Sequence, residues 1–308
     1  DGIFVDPYGG RRDLRRRLLR TVGHPHERFR EDALRMLRFF RFLATLEFRA
    51  HRKTLASIQP ELIRQISPER IRDELNKLLL ARKPGRVLSL MEKSGLLQEI
   101  LPELTLGLGM NQGSYHSLDV FNHSLKAVDN SLPRLDIRWA ALLHDIAKPV
   151  TRSEDAKGIH FYGHDAKGEQ LTKQILRRLK FSRQFIEKVS LLVGQHMFQL
   201  HGHSTDRALR RFIRKVGKDN ALDLMELRRS DIVAMGKQIK PETWSNWQLL
   251  KDRLEEVIHG SDALALGDLA LDGKDVMEVL NIPPGPDVGK ALEWLLEQVI
   301  AEPSINHS

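Results

Sequence analysis

Ala140-Ala-Leu-Leu-His144-Asp145-Ile-Ala-Lys148-Pro149 sets a histidine and an aspartate side by side in an apolar run. Burying either group without a partner is costly. Trp139, Leu142, Leu143 and Ile146 around the pair make the predicted helix largely interior. Something must therefore satisfy both the imidazole and the carboxylate. A divalent metal ion suits that mixed donor set.

Eight of the 13 histidines fall between His116 and His203. His123 lies in Val-Phe-Asn-His-Ser-Leu, His164 in Phe-Tyr-Gly-His-Asp, His196 in Val-Gly-Gln-His-Met, and Asp231 in Arg-Arg-Ser-Asp-Ile-Val-Ala. A lone histidine in such a setting reads as a core or surface residue. The ordered set His, His-Asp, His, His, Asp on successive predicted helices reads as a metal centre. Two close metal ions can bind a phosphate ester and activate water against it.

Over residues 116–240 these positions, with the Lys148-Pro149 extension and the Gly163-His164 helix start, resemble the HD phosphohydrolase superfamily. The resemblance implies His123, His144, Asp145 and Asp231 as core metal ligands. It implies His164 and His196 as ligands of a second metal or as phosphate contacts. Asp145 and Lys148 are then the expected catalytic residues, with Lys148 near the substrate phosphate. The expected cofactor is a divalent metal: Mg, Mn, Ni or Co.

The chain has 308 residues, 41% of them hydrophobic, enough for two or three compact units. No run of 18 uncharged apolar residues occurs, so no membrane span and no membrane partner is expected. The absence of cysteine removes disulfides and thiolate metal sites, and is compatible with a reducing, cytoplasmic setting. The net charge of +8 is unevenly spread. Between Gly10 and Lys53 stand 14 Lys/Arg, 13 of them arginine, against five Asp/Glu. Arginine suits bidentate phosphate contacts, and such an excess points to a nucleic acid.

Helical periodicity runs through nearly the whole chain. A short basic helix is predicted over Asp13–Arg20 and one long helix over Glu27–Glu47. Ser67-Pro68 is a helix start, with serine as cap and proline at the first position. Further helices are predicted at Pro84–Gly95, Leu118–Asn130, Asp136–Ala147, Asp165–Leu179, Arg183–His196, Asp206–Val216, Asn220–Met235 and Pro241–His259. Ile159–Tyr162 reads as extended. Gly2-Ile-Phe-Val-Asp6 reads as the end of a β-strand with no sheet to join, so the sequence is expected to begin inside a larger protein. The fold class is all-α, with that remnant strand at the N-terminus.

The front of the chain carries three further motifs. Asp6-Pro-Tyr-Gly-Gly-Arg-Arg-Asp13-Leu14, Arg30-Glu-Asp32-Ala-Leu-Arg35-Met-Leu-Arg38 and Ser67-Pro-Glu69-Arg70-Ile-Arg-Asp-Glu74 follow in order, with Pro283-Pro-Gly-Pro286 near the end. Together they resemble the bacterial class II tRNA nucleotidyltransferases: the CCA-adding, CC-adding and A-adding enzymes and their poly(A) polymerase relatives. The resemblance implies tRNA and nucleotides as partners, CTP and ATP as substrates of the parent enzyme, and a role in repairing tRNA 3′ ends. It implies Glu31, Asp32 and Arg35 as an amino-acid template for the incoming base, with Arg38 supporting it or contacting phosphate. A carboxylate acceptor and a guanidinium donor can together pair with a base edge. Four regions are expected: 1–21 the end of the catalytic head and its linker, 22–115 the neck and body, 116–240 the HD unit, and 241–308 a helical tail. The family's Gly-Gly turn with two head aspartates does not precede Asp6, so nucleotidyl transfer is not expected from this chain alone. A poly(A) polymerase body, or a non-catalytic RNA-binding module with a structural metal, are the alternatives. The oligomeric state stays open.

Overall fold

The computed structural model describes residues 5–113, 117–156, 158–236, 239–260 and 265–307. Most of the expected strand at residues 2–6 lies outside these residues, as does His116. Among the described residues the chain is helical, with two small sheets. Leu18–Leu19 pairs in parallel with Arg49–Ala50, and Ser153–Asp155 pairs antiparallel with Gly158–His160. The all-α class therefore holds.

The chain divides into two units: residues 1–197 with 226–238, and residues 198–225 with 239–308. In the first, helix Leu34–Leu46 packs on helix Pro68–Leu79, and helix Pro84–Lys93 packs on helix Val120–Asn130. Gly85 permits that second contact. A Cβ there would sit 2.7 Å from the Leu125 carbonyl oxygen, so only glycine lets the backbones approach. Trp139, fully buried on helix Leu135–Leu143, donates its indole N–H to Asn76 Oδ1 at 2.8 Å. That bond satisfies the one polar group of a large core side chain and ties the histidine-bearing helices to the front ones.

Helix His164–Arg178 lies along helix Arg183–Gln195 and is the most extensively packed partner of it. Gly168 faces Val193 Cγ1 and the His144 carbonyl at near-contact distance, which brings this helix close to the His144 turn. The helix Lys218–Ala234 contributes its C-terminal half to the first unit. There Arg229 Nη2 donates to the Asn130 carbonyl at 2.8 Å and fixes the segment that carries Asp231.

The second unit holds helices Asp206–Val216, Pro241–His259, Gly273–Leu280 and Pro286–Ala301. Leu296, Val299 and Ile300 form a buried cluster that Leu269 covers. The buried Arg210 donates through Nε to the Ile300 carbonyl at 2.7 Å, satisfying a carbonyl in the last turn of its helix.

Three expectations about local structure need correction. The basic helix expected over Asp13–Arg20 runs over Gly10–Arg15 instead, and Leu18–Leu19 is a strand. Glu27–Glu47 is not one helix: Pro25–Glu31 and Leu34–Leu46 are separate, and Asp32 between them has an extended backbone (φ −149°, ψ 100°). Asp32 Oδ1 accepts from Leu34 N–H at 3.1 Å, so the side chain competes with the helix for its own backbone. Ser67 does occupy the N-cap position before Pro68, but its hydroxyl makes no cap hydrogen bond.

Candidate functional site

The predicted helix over Asp136–Ala147 ends at Leu143. His144 and Asp145 therefore stand on a tight turn just past a buried helix, not within it. Ile146 N–H reaches the Leu143 carbonyl at 3.0 Å and Lys148 N–H the Asp145 carbonyl at 3.0 Å, the shorter-range bonds of a tightened helix end. The turn aims both side chains inward; His144 is 1% and Asp145 2% exposed.

Four other elements converge on this pair. His123 is buried on helix Val120–Asn130, whose start is capped by Asp119 accepting from Asn122 N–H at 2.7 Å. His164 is the first residue of its helix, entered through Gly163 at φ 69°, a left-handed conformation suited to glycine. His196 directly follows helix Arg183–Gln195, and Asp231 comes from the helix Lys218–Ala234.

The six side chains sort into two triads of possible metal donors: His123, His144 and Asp231; and Asp145, His164 and His196. Asp145 joins them. Its Oδ2 faces the first triad, 3.2 Å from His144 Nε2 and 3.5 Å from His123 Nε2. Its Oδ1 faces the second, 3.6 Å from His164 Nε2 and 3.9 Å from His196 Nε2. Asp231 Oδ1 lies 2.9 Å from His123 Nε2 and 3.6 Å from His144 Nε2.

The ring tautomers make the fit to cations specific. Nδ1 of His144, His164 and His196 each sits against the carbonyl three residues earlier, at 2.9, 2.7 and 2.7 Å. Each Nδ1 therefore carries a proton, and each Nε2 points into the cluster, where it can present a lone pair to a cation. Yet His164 Nε2 and His196 Nε2 lie only 3.3 Å apart. Two lone pairs at that distance repel unless a proton or a metal cation lies between them. The donor set, four imidazoles and two carboxylates without sulfur, suits a divalent first-row ion.

Electrostatics point the same way. Burial works against a charged His144, but the Asp145 and Asp231 carboxylates outweigh it and push that imidazole up to about 10. Burial likewise opposes charge on Asp145, yet His144 and Lys148 hold it well below the usual carboxylate range. Asp231 is held low despite burial by His123 and His144. His196 goes the other way: burial, then the neighbouring His144, pushes it down to about 4, so it stays neutral. The cluster thus holds two anionic carboxylates and draws positive charge to itself. Lys148, itself buried, meets part of that demand with Nζ 2.7 Å from Asp145 Oδ2.

The arginine-rich front builds a second feature. Arg28, Arg35 and Arg38, with Phe39 and Phe42, line a cleft of about 470 Å³ beside Leu19–Val22. Glu31 pairs with Arg28, and with Arg35 at 2.8 Å. Asp32, at the break, faces Arg38 at 3.6 Å and Arg70 at 3.8 Å. Behind them the buried Glu74 gathers Arg41 at 3.0 Å, Lys77 at 3.4 Å and Arg38 at 3.9 Å. Cation-rich walls with aromatic side chains suit a phosphorylated planar ligand.

Two family models match the chain: "Probable RNA and SrmB-binding site of polymerase A" over residues 47–107, and "tRNA nucleotidyltransferase domain 2 putative" over residues 161–308. The A-adding tRNA nucleotidyltransferase of Deinococcus radiodurans is 37% identical over 96% of this chain and 70% of its own length. The CC-adding tRNA nucleotidyltransferase of Thermus thermophilus is also 37% identical, over 94% of this chain and 67% of its own length. The chain belongs to the tRNA nucleotidyltransferase family. The crystal structure of the Bacillus stearothermophilus CCA-adding enzyme in complex with CTP aligns with 98% of this chain and 66% of that one, at a TM-score of 0.70 and 25% identity.

Within this nucleotidyltransferase-family chain, all six residues expected as metal ligands meet at one centre, and Lys148 joins them. Glu31, Arg35 and Arg38 share the front cleft region, but Asp32 does not lie on a common helical face with Arg35, because the helix breaks at that residue. Sequence inspection missed Gln112. Glu74 lies inside a quoted motif, but only the fold reveals it as the buried anchor of three cations. Among the described residues no helix is long and apolar enough to cross a membrane.

Proposed function

We propose that this chain is the nucleotide- and tRNA-recognising body of a CCA-adding-type enzyme and that it carries an HD-type, metal-dependent phosphohydrolase site. The observation that carries the second part is the pairing of two donor triads through the two oxygens of Asp145. Divalent ions held there would supply Lewis acidity to water and neutralise phosphate charge. His123, His144 and Asp231 would hold one ion, and His164 and His196 the other. Asp145 would set the spacing between them. Lys148 would meet a non-bridging phosphate oxygen, and the near-complete burial of the histidines excludes competing water. A phosphoester at an RNA or nucleotide end, such as a 2′,3′-cyclic phosphate or a 2′-phosphate, is the substrate class that joins this site to a tRNA 3′-end enzyme.

The Deinococcus, Thermus and Bacillus relatives support the first part, with Glu31, Asp32, Arg35 and Arg38 reading CTP and ATP at the front cleft. The match to a poly(A) polymerase region keeps an mRNA 3′-end substrate as the second reading. The test of the hydrolase is turnover of 2′,3′-cyclic nucleotides with Mn²⁺, Ni²⁺, Co²⁺ or Mg²⁺. Asp145→Asn keeps the shape and removes the charge, so metal-dependent turnover should vanish with helical content retained. Wild-type protein inert with every metal would favour a purely structural ion, and activity surviving in Asp145→Asn would place the chemistry elsewhere.

A further inference from the structure

Gln112 stands outside every motif above, in the segment that precedes helix Val120–Asn130. It is 6% exposed. Its Nε2 donates to the Leu118 carbonyl at 3.2 Å, which fixes the amide and leaves Oε1 turned to Lys148 Nζ at 2.7 Å. Lys148 Nζ has two other neighbours: Asp145 Oδ2 at 2.7 Å and the Phe161 ring, 5.5 Å from its centroid.

We propose that Gln112 is the positioning residue of the metal centre, holding Lys148 Nζ at the place where it meets a substrate phosphate. This rests on the metal-site reading above. The need for such a residue follows from Asp145. Once cations occupy both of its oxygens, the carboxylate's negative charge is largely neutralised and its hold on Lys148 weakens. A lysine stem is long and flexible, and gains entropy when released. The hydrogen bond that Lys148 donates to Gln112 Oε1 is the contact that cation binding does not disturb. A neutral amide suits the task, because it orients the ammonium without cancelling the charge that a phosphate needs. The cation–π contact to Phe161 constrains the third side.

The test is a double-mutant cycle on Mn²⁺-loaded protein with inorganic phosphate as the probe. Gln112→Met removes the acceptor and keeps the volume, Lys148→Met removes the ammonium, and the double variant closes the cycle. Gln112→Met should weaken phosphate binding about tenfold, the scale of one hydrogen bond to a charged group. Mn²⁺ affinity, read by electron paramagnetic resonance, should not change. In the Lys148→Met background, Gln112→Met should have no further effect, since Gln112 acts through Lys148. Should Gln112→Met not fold, Gln112→Asn carries the same test by retracting the acceptor one methylene. Unchanged phosphate affinity, or effects that simply add, would overturn the proposal while leaving the metal site standing. Wild-type protein that binds no Mn²⁺ would instead overturn the metal-site reading beneath it, and protein that binds Mn²⁺ but no phosphate would remove the role given to Lys148 and so to Gln112.

Discussion

Asp32 carries two separable roles, and replacing it by Ala and by Asn pulls them apart. As a cap, its Oδ1 accepts from Leu34 N–H at 3.1 Å at the start of helix Leu34–Leu46. Losing such a cap costs about 1 kcal/mol. As an ion pair, it faces Arg38 at 3.6 Å and Arg70 at 3.8 Å, with both arginine side chains 44–50% exposed. Pairs so open to solvent contribute only a few tenths of a kcal/mol each. Asp32→Ala should therefore destabilise by roughly 1–1.5 kcal/mol. Asp32→Asn keeps a cap oxygen and should cost about 0.5 kcal/mol, the screened pairs alone. Both proteins stay folded, and urea denaturation measures the difference. Binding of the four nucleoside triphosphates then separates capping from base selection. A template carboxylate cannot be replaced by an amide, which reverses half of its hydrogen-bonding pattern. Both variants should lose preference for CTP and ATP over GTP and UTP. Wild-type preference in Asp32→Asn would leave Asp32 as a helix cap and ion-pair partner with no part in base selection.

Two further outcomes follow from the same geometry. His144, raised to about 10 in the folded metal-free state, stabilises that state fully below its unfolded value near 6.5 and ceases to do so as pH rises through about 10. His196, lowered to about 4, contributes stability above its unfolded value that is lost as pH falls towards 4. Metal-free protein should thus melt lower at pH 10 than at pH 7, and His144→Gln should flatten that limb; an unchanged slope would contradict the charge balance assigned to the cluster. Gly85→Ala should destabilise by about 1–3 kcal/mol, since the new Cβ meets the Leu125 carbonyl at 2.7 Å and backbone must shift; a neutral change in denaturant midpoint would refute that close packing.

Much of the site was legible because its chemistry violates packing logic. His144-Asp145 cannot be buried among Leu142, Leu143 and Ile146 unless something satisfies both, and that alone predicts convergence of further donors. Helical periodicity located the elements that bring them. What periodicity cannot register is a single side chain competing with the helix for its own backbone. Asp32 breaks the front helix in this way, while Phe29, Leu37, Phe40 and Ala44 keep helical spacing across the break. Nor does it register where a buried helix tightens into a turn, so His144 and Asp145 were expected one element too early. Gln112 gave no signal, because an isolated glutamine beside glycines reads as loop. Its role arises from a hydrogen bond spanning 36 residues, which only the fold creates.

The proposed function requires that two donor triads, joined by Asp145, hold divalent ions. Counting bound Mn²⁺ per chain by elemental analysis, after exhaustive chelation and reloading, tests that requirement. Two ions per chain in the wild type, and fewer in Asp145→Asn, is the predicted result. Wild-type protein that retains no Mn²⁺, or Asp145→Asn that binds as many ions as the wild type, would contradict it.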